Sequence, residues 1–133
     1  MNELVFVDSF FYLALLNPRD QYHQLAQTWA QKYRERAVTT EAVLLEVGDA
    51  FCGLGQRHIV TALLQELRSD PLITIVPFST ELIVRSWQLF SERGDKDWGI
   101  TDCISFSVMQ DRKITKALTA DTHFRQAGFE SLF

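Results

Sequence analysis

Apolar and polar positions along this chain alternate between two periods, and the switches mark out its elements. Leu4-Val5-Phe6-Val7 is an unbroken run of β-forming residues that ends at Asp8, as a strand buried on both faces reads. Residues 9–16 predict a short helix, stopped by Asn17-Pro18 because a residue before proline is pushed out of the helical region. Tyr22, Leu25, Ala26, Trp29, Ala30 and Tyr33 then recur at helical spacing along one amphipathic helix, its aromatic stripe reading as core. Ala37-Val38-Thr39 is a second short strand. Thr40 is placed to cap the next helix, which turns Val43, Val47, Ala50 and Phe51 to one side and ends at Gly53-Leu54-Gly55. Ile59, Leu63, Leu64 and Leu67 mark a further helix. After the turn at Asp70-Pro71, Leu72-Ile73-Thr74-Ile75-Val76 is a third strand, closed by Pro77. Ser79 caps a helix carrying Leu82, Ile83, Trp87 and Phe90.

Past a polar loop comes a helix with Ile100, Cys103, Ile104, Phe106, Val108 and Met109, with Thr101 expected at its cap. It is apolar nearly all round, so it belongs in a core. Ala117-Leu118-Thr119-Ala120 is a short strand ending at Asp121, and residues 129–133 are expected to add an edge strand. Strands alternating with helices imply a parallel sheet covered by helices on both faces, with right-handed crossovers.

The 133 residues, 47% hydrophobic and 23% charged, make one domain spanning 1–133 with enough chain for a core. The net charge of −4 argues against a protein that coats nucleic acid by neutralising phosphates, but not against an enzyme gripping a backbone locally. Cys52 and Cys103 have no metal-type spacing and read as buried free thiols of a reducing, cytoplasmic compartment. Glu3 and Asp8 interrupt the first apolar run, which excludes a signal peptide, and no run is long enough to span a bilayer.

Four acids change the picture. Asp8 and Asp121 directly follow apolar strands, and open parallel sheets bind ligands beyond the carboxyl ends of their strands where strand order reverses. If the first and fourth strands are neighbours, these carboxylates face each other. Glu46 follows the second strand by one or two helical turns, and Asp102 sits in the first turn of the apolar helix. Each has a plain structural alternative: Asp8 reads equally as a helix cap, Asp121 as a turn residue, and Glu46 as an exposed helix position. Asp102 is the strongest single case, because a carboxylate at the edge of a buried helix is costly without compensation. Together the four would repel and raise one another's pKa values. A hard cation, Mg²⁺ or Mn²⁺, removes that cost, and the expected set contains no His or Cys, which weighs against zinc. Ser9, Thr101, Thr119 and Thr122 are placed to support the acids by hydrogen bonds. Asp97 is a possible fifth acid, and His123 reads as hydrogen-bonded structure rather than a ligand.

Taken in order, Val7-Asp8-Ser9, Thr39-Thr40 with Glu46, Asp97 to Asp102-Cys103-Ile104-Ser105-Phe106, and Leu118-Thr119-Ala120-Asp121-Thr122-His123-Phe124 resemble the PIN-domain ribonucleases, most nearly the VapC-type toxins of bacterial toxin–antitoxin pairs. The resemblance implies a three-layer α/β/α sandwich around a mostly parallel sheet of four to five strands. It implies Mg²⁺- or Mn²⁺-dependent endoribonuclease activity, homodimers, and a small antitoxin partner. Asp8, Glu46, Asp102 and Asp121 take the positions of the metal-binding acids, and Asp97 a less regular acidic position. Phe10-Phe11 departs from the small or hydroxyl residues usual after the first acid.

On this reading a metal-activated water attacks the scissile phosphate in line, leaving a 5′-phosphate and a 3′-hydroxyl. Arg57, Arg93, Lys96 and Arg125 are candidate phosphate contacts, equally readable as solvated surface. Two rivals stand beside it. A non-catalytic module of the same fold would bind RNA or a partner protein only. A phosphatase with an Asp nucleophile commonly needs a second Asp two residues on, where this chain has Phe10.

Overall fold

The structure, a computed structural model, describes residues 4–133, so Glu3 lies outside it. Five strands form one wholly parallel sheet: β1 (Val5–Val7), β2 (Ala37–Thr40), β3 (Ile73–Val76), β4 (Lys116–Leu118) and β5 (Glu130–Ser131), in the order β3-β2-β1-β4-β5. Seven helices join them: α1 (Ser9–Leu16), α2 (His23–Lys32), α3 (Glu41–Ala50), α4 (Arg57–Ser69), α5 (Thr80–Glu92), α6 (Ile100–Asp111) and α7 (Thr122–Gln126). Side chains alternate between the faces of a strand, yet every residue of β1 and β2 is buried. Both faces of the sheet are therefore covered, which is the three-layer arrangement. β3 is only half-buried, as an edge strand is.

The chain runs outward from β1 to β3 on one side, then returns to place β4 on β1's other edge. Strand order thus reverses between β1 and β4. In their register Val7 lies opposite Leu118, so Asp8 and Thr119 leave the sheet side by side. The fourth strand stops at Leu118, short of the expected Ala120, and the last strand is two residues rather than five. Thr119 is instead occupied by side-chain bonding at the site.

The core is continuous from Phe6 under α6 to α7. Seven consecutive residues of α6, Cys103 to Met109, are buried. The two serines in that run resolve differently: Ser107 donates its hydroxyl back to the Cys103 carbonyl at 2.8 Å, whereas the Ser105 hydroxyl has no partner. Phe106 packs edge-on against Trp98 and Phe124, each at 5.0 Å between ring centres, with Phe129 at 5.7 Å. Burying a ring of this size contributes about 1.5–3 kcal/mol, and each favourable aromatic pair about 0.5–1.5 kcal/mol more. The cluster ties the start of α6 to α7, and so fixes Asp102 relative to Asp121.

Several local expectations are corrected. Thr101 does not cap α6; Gly99 is the N-cap, and the Asp102 carboxylate reaches back to accept from the Gly99 amide at 3.1 Å. That return contact is the acidic half of a capping box, and it satisfies one of the helix's unpaired donors. Cys52 is exposed rather than buried, because α3 ends at Ala50 before reaching it; Cys103 is buried as expected. Trp87 and Phe90 stand half in solvent on α5, whose inward stripe is carried by Leu82 and Ser86. Thr40 and Ser79 cap α3 and α5 as their spacing predicts, accepting from the Val43 and Leu82 amides. No described helix is long and apolar enough to cross a membrane.

Candidate metal centre at the strand-order reversal

Asp8 stands at the N-cap position of α1 but its side chain makes no capping bond. Its carboxylate turns across the β1–β4 boundary, where Oδ2 accepts the Thr119 hydroxyl at 2.8 Å. The Thr119 oxygen in turn accepts from the Asp121 amide at 3.0 Å, so one fully buried hydroxyl orients both acids. On the other side, the Thr39 hydroxyl donates to the Val7 carbonyl at 2.8 Å and pins the backbone that carries Asp8. Asp121 caps the short helix α7, its Oδ1 accepting from the His123 amide at 3.0 Å.

That cap brings His123 into the group. Its Nδ1 lies 2.8 Å from Asp102 Oδ2 and 3.5 Å from Asp121 Oδ1, and its Nε2 lies 3.2 Å from Asp97 Oδ1. Asp102, Asp121 and His123 each offer a ligand atom within 4.8 Å of the others. The expectation of an all-carboxylate set is thus corrected: a histidine stands in it. The signal was available, since His123 follows Asp121 by two residues at a helix start. The contact with Asp102 arises only from the packing of α7 on α6.

Electrostatics bind the remaining acids to this group. Asp8 is pushed up to about 7, chiefly by burial; the Thr119 bond opposes the rise, and the charges of Asp102 and Glu46 add to it. Burial also raises Asp102, against the His123 and Gly99 bonds that favour its ionised form, with Asp121 adding repulsion. Glu46 is exposed as a residue, but its carboxyl group is crowded by protein. That crowding raises its pKa, a bond from Ser9 lowers it, and the charges of Asp102 and Asp121 raise it further. Local crowding at the carboxyl decides its titration rather than the exposure of the whole residue. Burial alone would lower the pKa of His123, but the Asp102 bond and the charges of Asp121, Asp102 and Asp97 outweigh it and raise it.

Among the described residues no lysine or arginine pairs with Asp8, Glu46, Asp102 or Asp121; the ion pairs of Arg68, Arg85 and Arg93 go to Glu41, Asp111 and Asp95. Asp102 and Asp121 each give one oxygen to protein donors, through Gly99 and His123, and keep the other for a ligand. Repelling carboxylates with no protein cation and spare oxygens are a donor set that fits a divalent ion.

The supporting residues divide. Thr119 bridges two acids, and Ser9 lies 3.5 Å from Asp8 Oδ1 while also serving Glu46. Thr101 makes no cap. Arg93 is already held by Asp95 at 2.9 and 3.0 Å and lies over the Trp98 ring at 4.9 Å, which ties it to the loop. Arg57 donates to the Cys52 carbonyl at 3.1 Å. Arg125 is exposed on α7, two residues past His123, and Lys96 is half-buried in the loop before α6.

An acid cluster at the order reversal of a parallel α/β sheet defines a class of site, and comparison with known proteins gives the family. The PIN domain profile matches residues 5–130, and the chain belongs to the PIN domain family. A 23S rRNA-specific endonuclease, VapC20 of Mycobacterium tuberculosis, is 27% identical to it over 129 residues, 95% of each chain. The crystal structure of Mycobacterium tuberculosis VapC20, described as a Sarcin-Ricin loop cleaving toxin, has a TM-score of 0.88 at 23% identity, covering 96% of this chain and 98% of that one. FitAcB from Neisseria gonorrhoeae gives 0.70 at 17% identity, covering 97% and 96%. VapBC2 from Rickettsia felis, solved bound to a DNA fragment from their promoter, gives 0.66 at 14% identity, covering 96% of each.

Proposed function

We propose that this protein is a divalent-metal-dependent endoribonuclease, the toxin of a toxin–antitoxin pair, acting in the cytoplasm. The observation that carries the reading is the mutual crowding of Asp8, Asp102, Glu46 and Asp121 around the strand-order reversal with no protein cation to offset it. Asp8, Asp102 and Asp121 would hold Mg²⁺ or Mn²⁺, with Glu46 completing the set. The bound metal supplies a water of lowered pKa and relief of charge at the scissile phosphate. The chain's own part is positioning: Thr119 holds Asp8 and Asp121 in one orientation, and the Phe106 cluster holds Asp102 opposite them. Arg125 and Lys96 are left as the candidate phosphate contacts, since Arg93 is committed to Asp95.

The RNA substrate of VapC20 supports ribosomal RNA as the first substrate to test. An antitoxin partner is supported by the VapBC2 likeness, and by an apolar cavity of about 240 Å³ lined by Phe11, Tyr12, Trp29, Tyr33, Leu63 and Leu67, open between α1, α2 and α4. A homodimer is supported by the exposed apolar face of α5 and the residues before it, Phe78, Val84, Trp87 and Phe90.

Cleavage of a 23S rRNA fragment in Mn²⁺ tests the nuclease, comparing the wild type with Asp8→Asn and Asp102→Asn. Metal-dependent cleavage lost in both variants is expected. Cleavage unchanged in both would remove the site from the reaction.

A further inference from the structure

His123 is the one nitrogen donor in an otherwise carboxylate site, and both of its ring nitrogens are occupied. Nδ1 faces the gap between Asp102 and Asp121, at 2.8 and 3.5 Å, while Nε2 faces Asp97 at 3.2 Å. A histidine that binds a metal through one nitrogen commonly holds the other against a carboxylate, which fixes the tautomer and aims the lone pair. Asp97 is well placed for that task and for little else: its side chain is 91% exposed, and His123 is its recorded ion-pair partner. This also accounts for the position of Asp97 beside the site without direct contact with the other acids.

We propose that His123 Nδ1 is a ligand of the same metal centre as Asp102 and Asp121, with Asp97 as its orienting carboxylate, and that this makes the site select Mn²⁺ over Mg²⁺. The inference rests on the metal-site reading above. Mg²⁺ favours oxygen ligands and retains its waters, whereas imidazole suits transition metals. Replacing one oxygen by a nitrogen therefore shifts preference away from Mg²⁺. A histidine that only hydrogen-bonds to Asp102 predicts no such preference, and a glutamine could supply the same bond.

The test is electron spin-echo modulation of Mn²⁺ bound to the intact protein, with equilibrium binding of Mn²⁺ and Mg²⁺ alongside. The expected wild-type spectrum carries ¹⁴N modulation from a directly bound imidazole. His123→Gln loses the modulation, and its Mn²⁺ affinity falls at least tenfold while Mg²⁺ affinity changes less than twofold. Asp97→Ala weakens Mn²⁺ by about 10–100-fold, the range seen when an orienting partner is removed. The wild-type spectrum bears on the proposal even if a variant fails to fold. Mn²⁺ binding without nitrogen modulation would overturn the role of His123 and leave the carboxylate site standing. Nitrogen modulation that survives His123→Gln would overturn it equally, since His23 or His58 would then be the source. No Mn²⁺ binding at millimolar metal would overturn the metal-site reading and this inference together.

Discussion

Replacing Asp8 by asparagine tests the electrostatics of the site without touching RNA. Asp8 is 5% exposed, and its carboxyl rises from an ordinary 3.8 to about 7. The folded protein therefore holds a proton on Asp8 at pH values where the unfolded chain has released it. Between pH 3.8 and 7 the folded state binds more protons, so stability falls as pH rises through that window and is flat above it. At 1.36 kcal/mol per pH unit, the full effect is about 4 kcal/mol. Much of it, about 3 kcal/mol, falls between pH 5 and pH 8. The raised pKa values of Asp102 and His123 act in the same direction. For His123 the sign follows from a folded pKa above its unfolded value, whose stabilisation is lost as pH rises through the folded value.

The assay is urea unfolding in EDTA at pH 5 and pH 8. The wild type should lose about 3 kcal/mol more than Asp8→Asn over that interval, and the variant should be the more stable protein at pH 8. Parallel pH dependence in the two proteins would refute the claim that Asp8 carries its charge into the fold at a cost.

Three further outcomes follow from the same geometry. Thr119→Val keeps the shape but strands Asp8 Oδ2 and the Asp121 amide; it should cost about 1–3 kcal/mol in urea unfolding and raise the Asp8 pKa further, read by carboxyl NMR titration. Phe106→Ala empties the centre of the aromatic cluster between α6 and α7; calorimetry should show a loss of about 3–5 kcal/mol, with weakened Mn²⁺ binding because Asp102 is no longer fixed against Asp121. Trp87→Glu places a charge on the exposed α5 face; light scattering should report a shift from dimer to monomer with unchanged thermal stability.

The hydrophobic pattern was enough to place every helix and strand, because buried strands and amphipathic helices each impose their own period on the chain. It was weakest where side chains compete with the backbone ladder: Thr119 leaves β4 to bond Asp8, which shortens that strand, and Gly99 displaces Thr101 as a cap because Asp102 reaches back to its amide. The placement of Asp8 and Asp121 at the strand-order reversal was legible from their position after apolar runs. The ligand set was less so. Whether Asp8 caps its own helix or turns across the sheet depends on the β1–β4 register, and the arrival of His123 at Asp102 depends on α7 packing against α6. Neither is a local property of the sequence. Glu46 shows the same limit, since its exposure as a residue and the crowding of its carboxyl are set by different neighbours.

Thermal unfolding in the presence and absence of Mn²⁺, run on wild type and Asp102→Asn, reads most directly whether these acids share a cation. At a hundred times its Kd, metal should stabilise the wild-type fold by about 2.7 kcal/mol, and the variant should lose that response. A wild type indifferent to Mn²⁺, or a variant that responds as fully, would contradict the shared site.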